Sequence, residues 1–343
     1  MNDAELDEIA RAVVSRLMAG AVQLPDGRTT GRQLPDAKLP VVTGRQSTEP
    51  VASGVRPSVR GSVRPAEGAA RPLEDISWRG PRMLAAWTPA AGARRVADFV
   101  DHTLLKPEAT RKDVLKLCAE AREHRFWAVC VNPDWVELCA GELAGTEVAV
   151  ASVCGFPLGA TTSRAKAVEA GEAVSRGATE VDMVAALGRI KGGEWSCVED
   201  DIRAVVEASR GALVKVIIES AILTPEEIVK ACVVAKLAGA RFVKTSTGFH
   251  AAGGATVDAV RLMRLAVGDD LGVKAAGGVR DCATALAMIG AGASRIGTSS
   301  GVSFVGCLGP EPLSLAELLK RPEAHAPSCR SGGCAVPAGG QPY

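Results

Sequence analysis

Arg241-Phe242-Val243-Lys244-Thr245-Ser246-Thr247-Gly248-Phe249 runs from an apolar pair straight into a lysine, then into three hydroxyl residues and a glycine. A lysine is costly to bury, because loss of water disfavours the ammonium form and pushes its pKa down. The usual outcome is a lysine that snorkels to solvent along its aliphatic stem. Which outcome holds here depends on whether Phe242-Val243-Lys244 is a strand, and on what the neighbouring strands carry.

Outward from this stretch, residues 93–322 alternate β-branched apolar runs with alanine-rich helical stretches. That alternation predicts βα units around a parallel sheet, an α/β fold. Eight strands are expected, at 97–102, 127–132, 147–153, 180–185, 213–219, 241–246, 272–276 and 295–298. Helical patterns separate them, and the even spacing favours a (β/α)8 TIM barrel over an open sheet. No Gly-x-Gly-x-x-Gly follows the first strand, so the phosphate fingerprint of a doubly wound fold is missing.

The chain has 343 residues, with 40 basic and 39 acidic side chains and a formal net charge of +1. That balance argues against nucleic acid as a partner and towards small-molecule chemistry. No apolar run approaches the roughly 18 residues of a membrane span, and the charged first twenty residues lack the apolar core of a signal peptide. A cytoplasmic protein is expected, with no membrane partner. The ten cysteines sit in apolar contexts without paired zinc-type spacing and read as reduced, buried thiols, so no metal site is expected.

Residues 1–20 read as a short amphipathic helix, with Leu6, Ile9, Val13 and Leu17 on one face, Asp3 as the candidate N-cap and Gly20 as the stop. Residues 21–92 are rich in Pro, Gly, Ser and Arg, with no sustained period, and read as a disordered tether. Within it, Ile76-Ser77-Trp78 and Met83-Leu84-Ala85-Ala86-Trp87 are candidate anchor points. Residues 323–343, with Cys329 and Cys334, read as a disordered tail.

In a barrel of this kind the C-terminal strand ends form the active face. Several strands carry polar residues there: Asp101-His102-Thr103, Asp182, Lys215 with Glu219, Lys244 and Lys274. Two lysines on neighbouring strands would each oppose the other's charge, and like charge and burial both lower a lysine pKa. A neutral amine is a nucleophile that attacks a carbonyl to form a Schiff base, an electron sink for carbon–carbon bond chemistry. Asp182 is placed to move protons beside it. The glycine and serine residues of Ala276-Gly277-Gly278-Val279 and Ile296-Gly297-Thr298-Ser299-Ser300-Gly301 follow strands seven and eight, where barrels often hold phosphate.

Read together, Asp101-His102-Thr103-Leu104-Leu105, Val129-Cys130-Val131-Asn132-Pro133, Glu180-Val181-Asp182-Met183-Val184, Lys215-Val216-Ile217-Ile218-Glu219, Phe242-Val243-Lys244-Thr245-Ser246-Thr247-Gly248 and Lys274-Ala275-Ala276-Gly277-Gly278-Val279-Arg280 resemble the deoxyribose-phosphate aldolases, across residues 95–310. The resemblance implies a cofactor-free and metal-free class I aldolase that cleaves 2-deoxy-D-ribose 5-phosphate to D-glyceraldehyde 3-phosphate and acetaldehyde. It implies Lys244 as the Schiff-base lysine, Lys274 as the second lysine that lowers its pKa, and Asp182 as proton donor and acceptor. It assigns Asp101 and Lys215 to the pocket, and Thr247, Gly248, Gly277, Gly278, Gly297, Ser299 and Ser300 to the phosphate cradle. Cys130 matches a position where a thiol lies near the pocket, and Phe249 stands where some relatives have a phosphate-gripping lysine. A homodimer is the expected assembly. Two rival readings are another Schiff-base barrel aldolase, transaldolase-like or acting on a keto-sugar acid phosphate, and a non-catalytic phosphosugar-binding scaffold.

The barrel does not require residues 1–92. Their layout, a short amphipathic helix on a long tether, resembles the encapsulation peptides that carry cargo into bacterial microcompartments, and implies shell or core proteins as partners of residues 3–18.

Overall fold

A computed structural model describes residues 1–18 and 96–304, together with isolated residues at 22–23, 29–30, 93–94, 313–314, 317 and 320. Of the expected tether only Val22–Gln23 and Thr29–Thr30 are described, paired as a two-residue antiparallel ladder; its two anchor points and the tail with Cys329 and Cys334 lie outside the described residues.

Eight parallel strands close into a barrel: β1 (Val100–Leu104), β2 (Ala128–Val131), β3 (Ala149–Cys154), β4 (Glu180–Val184), β5 (Leu213–Ile217), β6 (Phe242–Lys244), β7 (Gly272–Ala276) and β8 (Arg295–Thr298). They follow chain order around the ring, and β8 pairs with β1 to shut it. The longer helices between them are α2 (Arg111–His124), α4 (Ser163–Ser175), α6 (Trp195–Ala208), α7 (Pro225–Leu237), α8 (Val257–Val267) and α9 (Cys282–Ala291), with shorter α3 (Val136–Glu142), α5 (Leu187–Lys191) and α10 (Gly301–Phe304). Local chemistry starts several of them. Thr110 and Asp113 form a reciprocal capping box on α2, Thr224 and Glu227 another on α7 behind Pro225, and Thr162, Thr256 and Asp281 cap α4, α8 and α9. Each such cap satisfies a helix N–H that would otherwise lack a partner and contributes about 1 kcal/mol.

Strand boundaries differ from expectation by one to three residues at several ends, and two of the differences have a clear local cause. Val96–Phe99 forms a 3-10 turn, so the first strand begins at Val100; its buried Val96, Ala97 and Phe99 give the same short apolar signal that a strand would. The fifth strand stops at Ile217, before Glu219 adopts a left-handed backbone (φ 51°). Along each strand, alternate residues face the helices and the barrel interior. Outward residues such as Val129, Val181, Val214, Val243, Val273 and Ile296 join the main apolar core under the helices. A second, smaller apolar cluster gathers Leu105, Cys130, Ala151 and Val153, with Phe156 and Phe249 packed on it.

Helix α1 (Asp3–Met18) begins one residue away from the expected cap. Asn2 accepts from the Glu5 N–H at 2.9 Å while Glu5 accepts from the Asn2 N–H at 2.9 Å, so Asn2 is the N-cap and Asp3 the first helical residue. Its apolar stripe is not free: Leu6, Ala10 and Val13 are buried and α1 packs on α7 and α8, where Asp7 pairs with Lys230.

The cysteines depart from the all-reduced expectation at one described position. Among the described residues six are free, five of them buried and Cys197 exposed, whereas Cys282 is disulfide-bonded. Pairing of this kind depends on proximity in space, which cysteine spacing does not report.

Outside the barrel interior, a buried ion pair ties α4 to α6: Lys166 Nζ lies 2.6 Å from Asp201, both side chains sealed from water. Removing one partner strands the other charge. Asp201→Ala should therefore lower the unfolding free energy by about 3–5 kcal/mol in a urea titration. Glu172→Ala, which breaks the exposed Arg176 pair, should leave the midpoint nearly unchanged.

Candidate active site

Period-two alternation sends an unusual set of side chains into the barrel. β1 contributes Asp101, β4 Glu180 and Asp182, β5 Lys215, β6 Phe242 and Lys244, β7 Lys274 and β8 Arg295 and Gly297. All seven ionisable groups among them are buried. Register brings them together: Lys274 is the Cα partner of Lys244, Lys215 of Asp182, and Gly297 of Asp101.

Asp182 sits at the middle. Its Oδ2 accepts from Lys244 Nζ at 2.9 Å and from Lys274 Nζ at 2.7 Å, while its Oδ1 accepts from Lys215 Nζ at 2.6 Å. Lys274 Nζ also donates to Asp101 Oδ2 at 2.5 Å. Beneath them Arg295 donates to Asp101 Oδ1 at 2.6 Å and reaches Glu180 at 3.1 Å; Glu180 pairs with Lys215 at 2.6 Å and accepts from the indole N–H of Trp127 at 3.2 Å. The guanidinium lies over the Trp127 ring (4.4 Å) and the Phe242 ring (5.3 Å). Gly297 is glycine for a packing reason. A Cβ there would stand 2.9 Å from Lys274 Cε, in the path of that side chain.

The lysines differ in what surrounds them. Burial pushes the Lys244 ammonium below its ordinary pKa; Asp182 opposes this and the charge of Lys274 adds to it. Lys274 is equally buried, but Asp101 and Asp182 outweigh burial and hold it protonated, above its ordinary value. Lys215 is raised likewise, burial being outweighed by Asp182 and Glu180. Like charge from Lys274 therefore assists, while loss of water is the larger cause of the Lys244 shift. Burial resists ionisation of Asp182, yet Lys215, Lys244 and Lys274 together hold it well below the usual carboxylate range. Asp101 meets the same opposition and is held down to about 2 by Arg295, Lys274 and Lys215.

The loops after β6, β7 and β8 meet on one rim. Thr247 is gripped by Glu219, which accepts from its hydroxyl at 2.6 Å and its N–H at 3.2 Å. The Ala255 N–H donates to the carbonyls of Ala276 and Gly277, and Gly254 lies so close that a Cβ would be 2.1 Å from the Gly277 oxygen. Gly277 in turn abuts Gly248, with a built Cβ 3.4 Å from its Cα. The Thr298 hydroxyl donates to the Val279 carbonyl at 2.7 Å, tying β8 to the β7 loop. Gly278 and Ser299 are exposed and Ser300 half-buried at the start of α10. The residues assigned to the cradle thus share this rim, except Gly297, which lies inside beneath Lys274. Phe249 points elsewhere: its ring meets Phe156 edge-on at 5.2 Å, on the apolar cluster. Cys130 belongs to that cluster, and burial raises its pKa, so it is a protonated thiol of low nucleophilicity. Among the described residues, no His, Cys, Asp or Glu side chains group as a metal site.

Sequence reasoning named Asp101, Lys215, Lys244, Lys274 and Asp182 and missed the roles of Glu180 and Arg295. The signal was present: Glu180 is two residues before Asp182, and Arg295 two before Gly297, so each faces inward. Chemically, a buried amine with a depressed pKa, touching a carboxylate shared with a charged neighbour, can attack a carbonyl and exchange protons locally.

A parallel barrel holding such a lysine pair on one carboxylate has the architecture of a lysine-dependent aldolase. Residues 95–304 match the DeoC/LacD family aldolase model. The chain belongs to the DeoC/LacD aldolase family. It is 53% identical over 212 residues to the deoxyribose-phosphate aldolase of Mannheimia succiniciproducens, covering 62% of this chain and 94% of that one. It is 58% identical over 207 residues to that of Brevibacillus brevis, covering 60% and 93%. Among solved structures it resembles the tetrameric deoxyribose phosphate aldolase of Aeropyrum pernix, with 34% identity, a TM-score of 0.58, and 66% and 96% of the two chains covered.

The depressed Asp101 carboxylate makes stability depend on pH. Its folded pKa, about 2, lies below the ordinary 3.8, so its contribution is full above about pH 4 and is lost as pH falls towards 2. Asp101→Asn should be less stable than wild type at pH 7, and the gap between the two unfolding curves should narrow as pH falls from about 4 to 2.

Proposed function

We propose that the protein is a deoxyribose-phosphate aldolase, cleaving 2-deoxy-D-ribose 5-phosphate reversibly to D-glyceraldehyde 3-phosphate and acetaldehyde through a Schiff base on Lys244. The observation that carries this reading is the shared carboxylate: Lys244 and Lys274, paired in register on adjacent strands and both buried, contact Asp182 Oδ2. The names of the close relatives supply the substrate.

In this reading the neutral Lys244 amine attacks C1 of the open-chain sugar, and loss of water leaves the iminium. Removal of the C3 hydroxyl proton breaks the C2–C3 bond, whose electron pair enters the iminium, and glyceraldehyde 3-phosphate departs. The enamine left on Lys244 is protonated at carbon and hydrolysed to acetaldehyde. Asp182 and Lys274 exchange these protons. Asp182 already touches both amines and Asp101 keeps Lys274 charged, so Lys274 acts as acid while Lys244 acts as nucleophile. The phosphate is assigned to the rim of Thr247, Gly248, Gly277, Gly278, Ser299 and Ser300, with Gly297 making room for Lys274 below. Phe249 offers the phosphate no charge; its apolar contact with Phe156 suits a wall beside the aldehyde end.

Borohydride trapping with acetaldehyde should give one stable adduct on Lys244 by mass spectrometry. Lys244→Ala should abolish it and reduce cleavage at least about a thousandfold. A wild-type enzyme with no adduct would refute the reading, and faster turnover with a keto-sugar acid phosphate would favour the rival aldolase.

For the front of the chain we propose a docking peptide, with residues 1–20 delivering a cytoplasmic homodimer to bacterial microcompartment shell or core proteins. Support comes from the way α1 already binds: its stripe of Leu6, Ala10 and Val13 lies buried across two helices, a helix-in-groove mode. The same stripe cannot serve the barrel and a partner at once, so docking requires release from α7 and α8. A fluorescent reporter fused to residues 1–20 should gather into foci in cells making the shell, and Leu6→Asp should disperse it. A reporter that stays diffuse would sink this proposal.

A further inference from the structure

The interior cluster has an odd number of charges. Asp101, Glu180 and Asp182 supply three carboxylates; Lys215, Lys244, Lys274 and Arg295 supply four cations, every one of them buried. With all ionised the cluster carries one surplus positive charge, in a place where water cannot screen it. Loss of one proton makes it neutral.

Geometry selects the group that gives it up. Arg295 contacts Asp101 and Glu180 and, as a guanidinium, keeps its proton. Lys215 contacts Glu180 and Asp182 at 2.6 Å and Asp101 at 3.9 Å. Lys274 contacts Asp101 and Asp182. Lys244 contacts Asp182 alone, at 2.9 Å where each of the other three cations has a carboxylate oxygen at 2.5–2.6 Å, and on the oxygen that Lys274 also occupies. It is the least compensated cation of the four. Of the other groups around the cluster, Cys130 on β2 is a protonated thiol, β3 presents Ala151 and Val153, and the buried carboxylate of Glu219 beyond β5 is hydrogen-bonded to Thr247 on the rim.

We propose that Arg295 and Glu180, neither of which contacts Lys244, are positioning residues that set its protonation through the charge count of the cluster. Arg295 provides the fixed charge that makes the fourth cation one too many. Glu180 holds Lys215 charged, and thereby keeps Asp182 from being available to Lys244 alone. The second lysine beside Lys244 is then only part of the cause, since Lys274 is largely neutralised by its own two carboxylates.

This inference rests on Lys244 being the reacting amine, and the experiment separates the two. The rate of acetaldehyde adduct formation on Lys244, trapped with cyanoborohydride and located by mass spectrometry, is measured from pH 5 to 10 in folded wild type, Arg295→Gln, Arg295→Lys and Glu180→Gln. Absence of adduct in the wild type overturns the Lys244 reading and this inference with it. Given an adduct, Arg295→Gln should shift the midpoint upward by about one pH unit or more, a tenfold loss of free amine below the midpoint. Glu180→Gln should shift it downward, and Arg295→Lys, which keeps the charge, should stay near wild type. A structural role alone would slow the variants without moving midpoints in opposite directions. Midpoints that stay fixed or move the same way overturn the inference. Should Arg295→Gln fail to fold, the isosteric Glu180→Gln with Arg295→Lys decides it: an unmoved or raised midpoint in Glu180→Gln overturns it.

Discussion

The buried carboxylate of Asp182 accepts from three lysines inside the barrel, and the arrangement of the site follows from that one convergence. A buried ion costs several kcal/mol to desolvate, and only close, hydrogen-bonded partners offset it. Asp182 alone cannot compensate three ammonium groups. Asp101 and Glu180 are therefore drawn in on neighbouring strands, and Arg295 with them, until every group but Lys244 has at least two opposite charges in contact or shares a partner on better terms. The reactive lysine is the member of the network that the network serves least.

Barrel closure makes this possible. Lys274 meets Asp101 across 173 residues of chain and Arg295 meets it across 194, because β8 pairs with β1. An open sheet with the same strands would leave its first and last at opposite edges, with Asp101 far from both cations. The pairing of β7 with β8 stacks Gly297 beside Lys274, where the missing Cβ leaves room for the lysine stem. The rim above uses backbone instead of charge: close approach of Gly254, Gly277 and Gly248 locks the loops after β6 and β7 together, and Thr298 ties in the third.

Helix α1 carries a different lesson about apolar stripes. Its pattern fits a docking peptide, and the structure shows such a stripe seated on the outside of the barrel, with Leu6, Ala10 and Val13 buried and Asp7 paired to Lys230. Amphipathic periodicity reports that a face will be buried, never against what.

Much of the fold was legible from the sequence, because hydrophobic period and helix starts are local. The eight strands and the helical patterns between them follow from residues within a turn or two of each other, whereas the one N-cap named, Asp3, lies one residue beyond the actual cap Asn2. The first strand was misplaced by three residues at its start, because the buried Val96-Ala97-Phe99 run looks the same in a strand and in a 3-10 turn. The inward lysines and Asp182 were also legible, as ionisable residues in strands otherwise apolar. What the sequence alone determined was which residue types enter the barrel. Which of them keeps its proton, why Gly297 is glycine and where the α1 stripe lies were decided only by the tertiary structure. Each depends on distances between groups far apart in the chain, and charge interaction and steric exclusion are set by those distances.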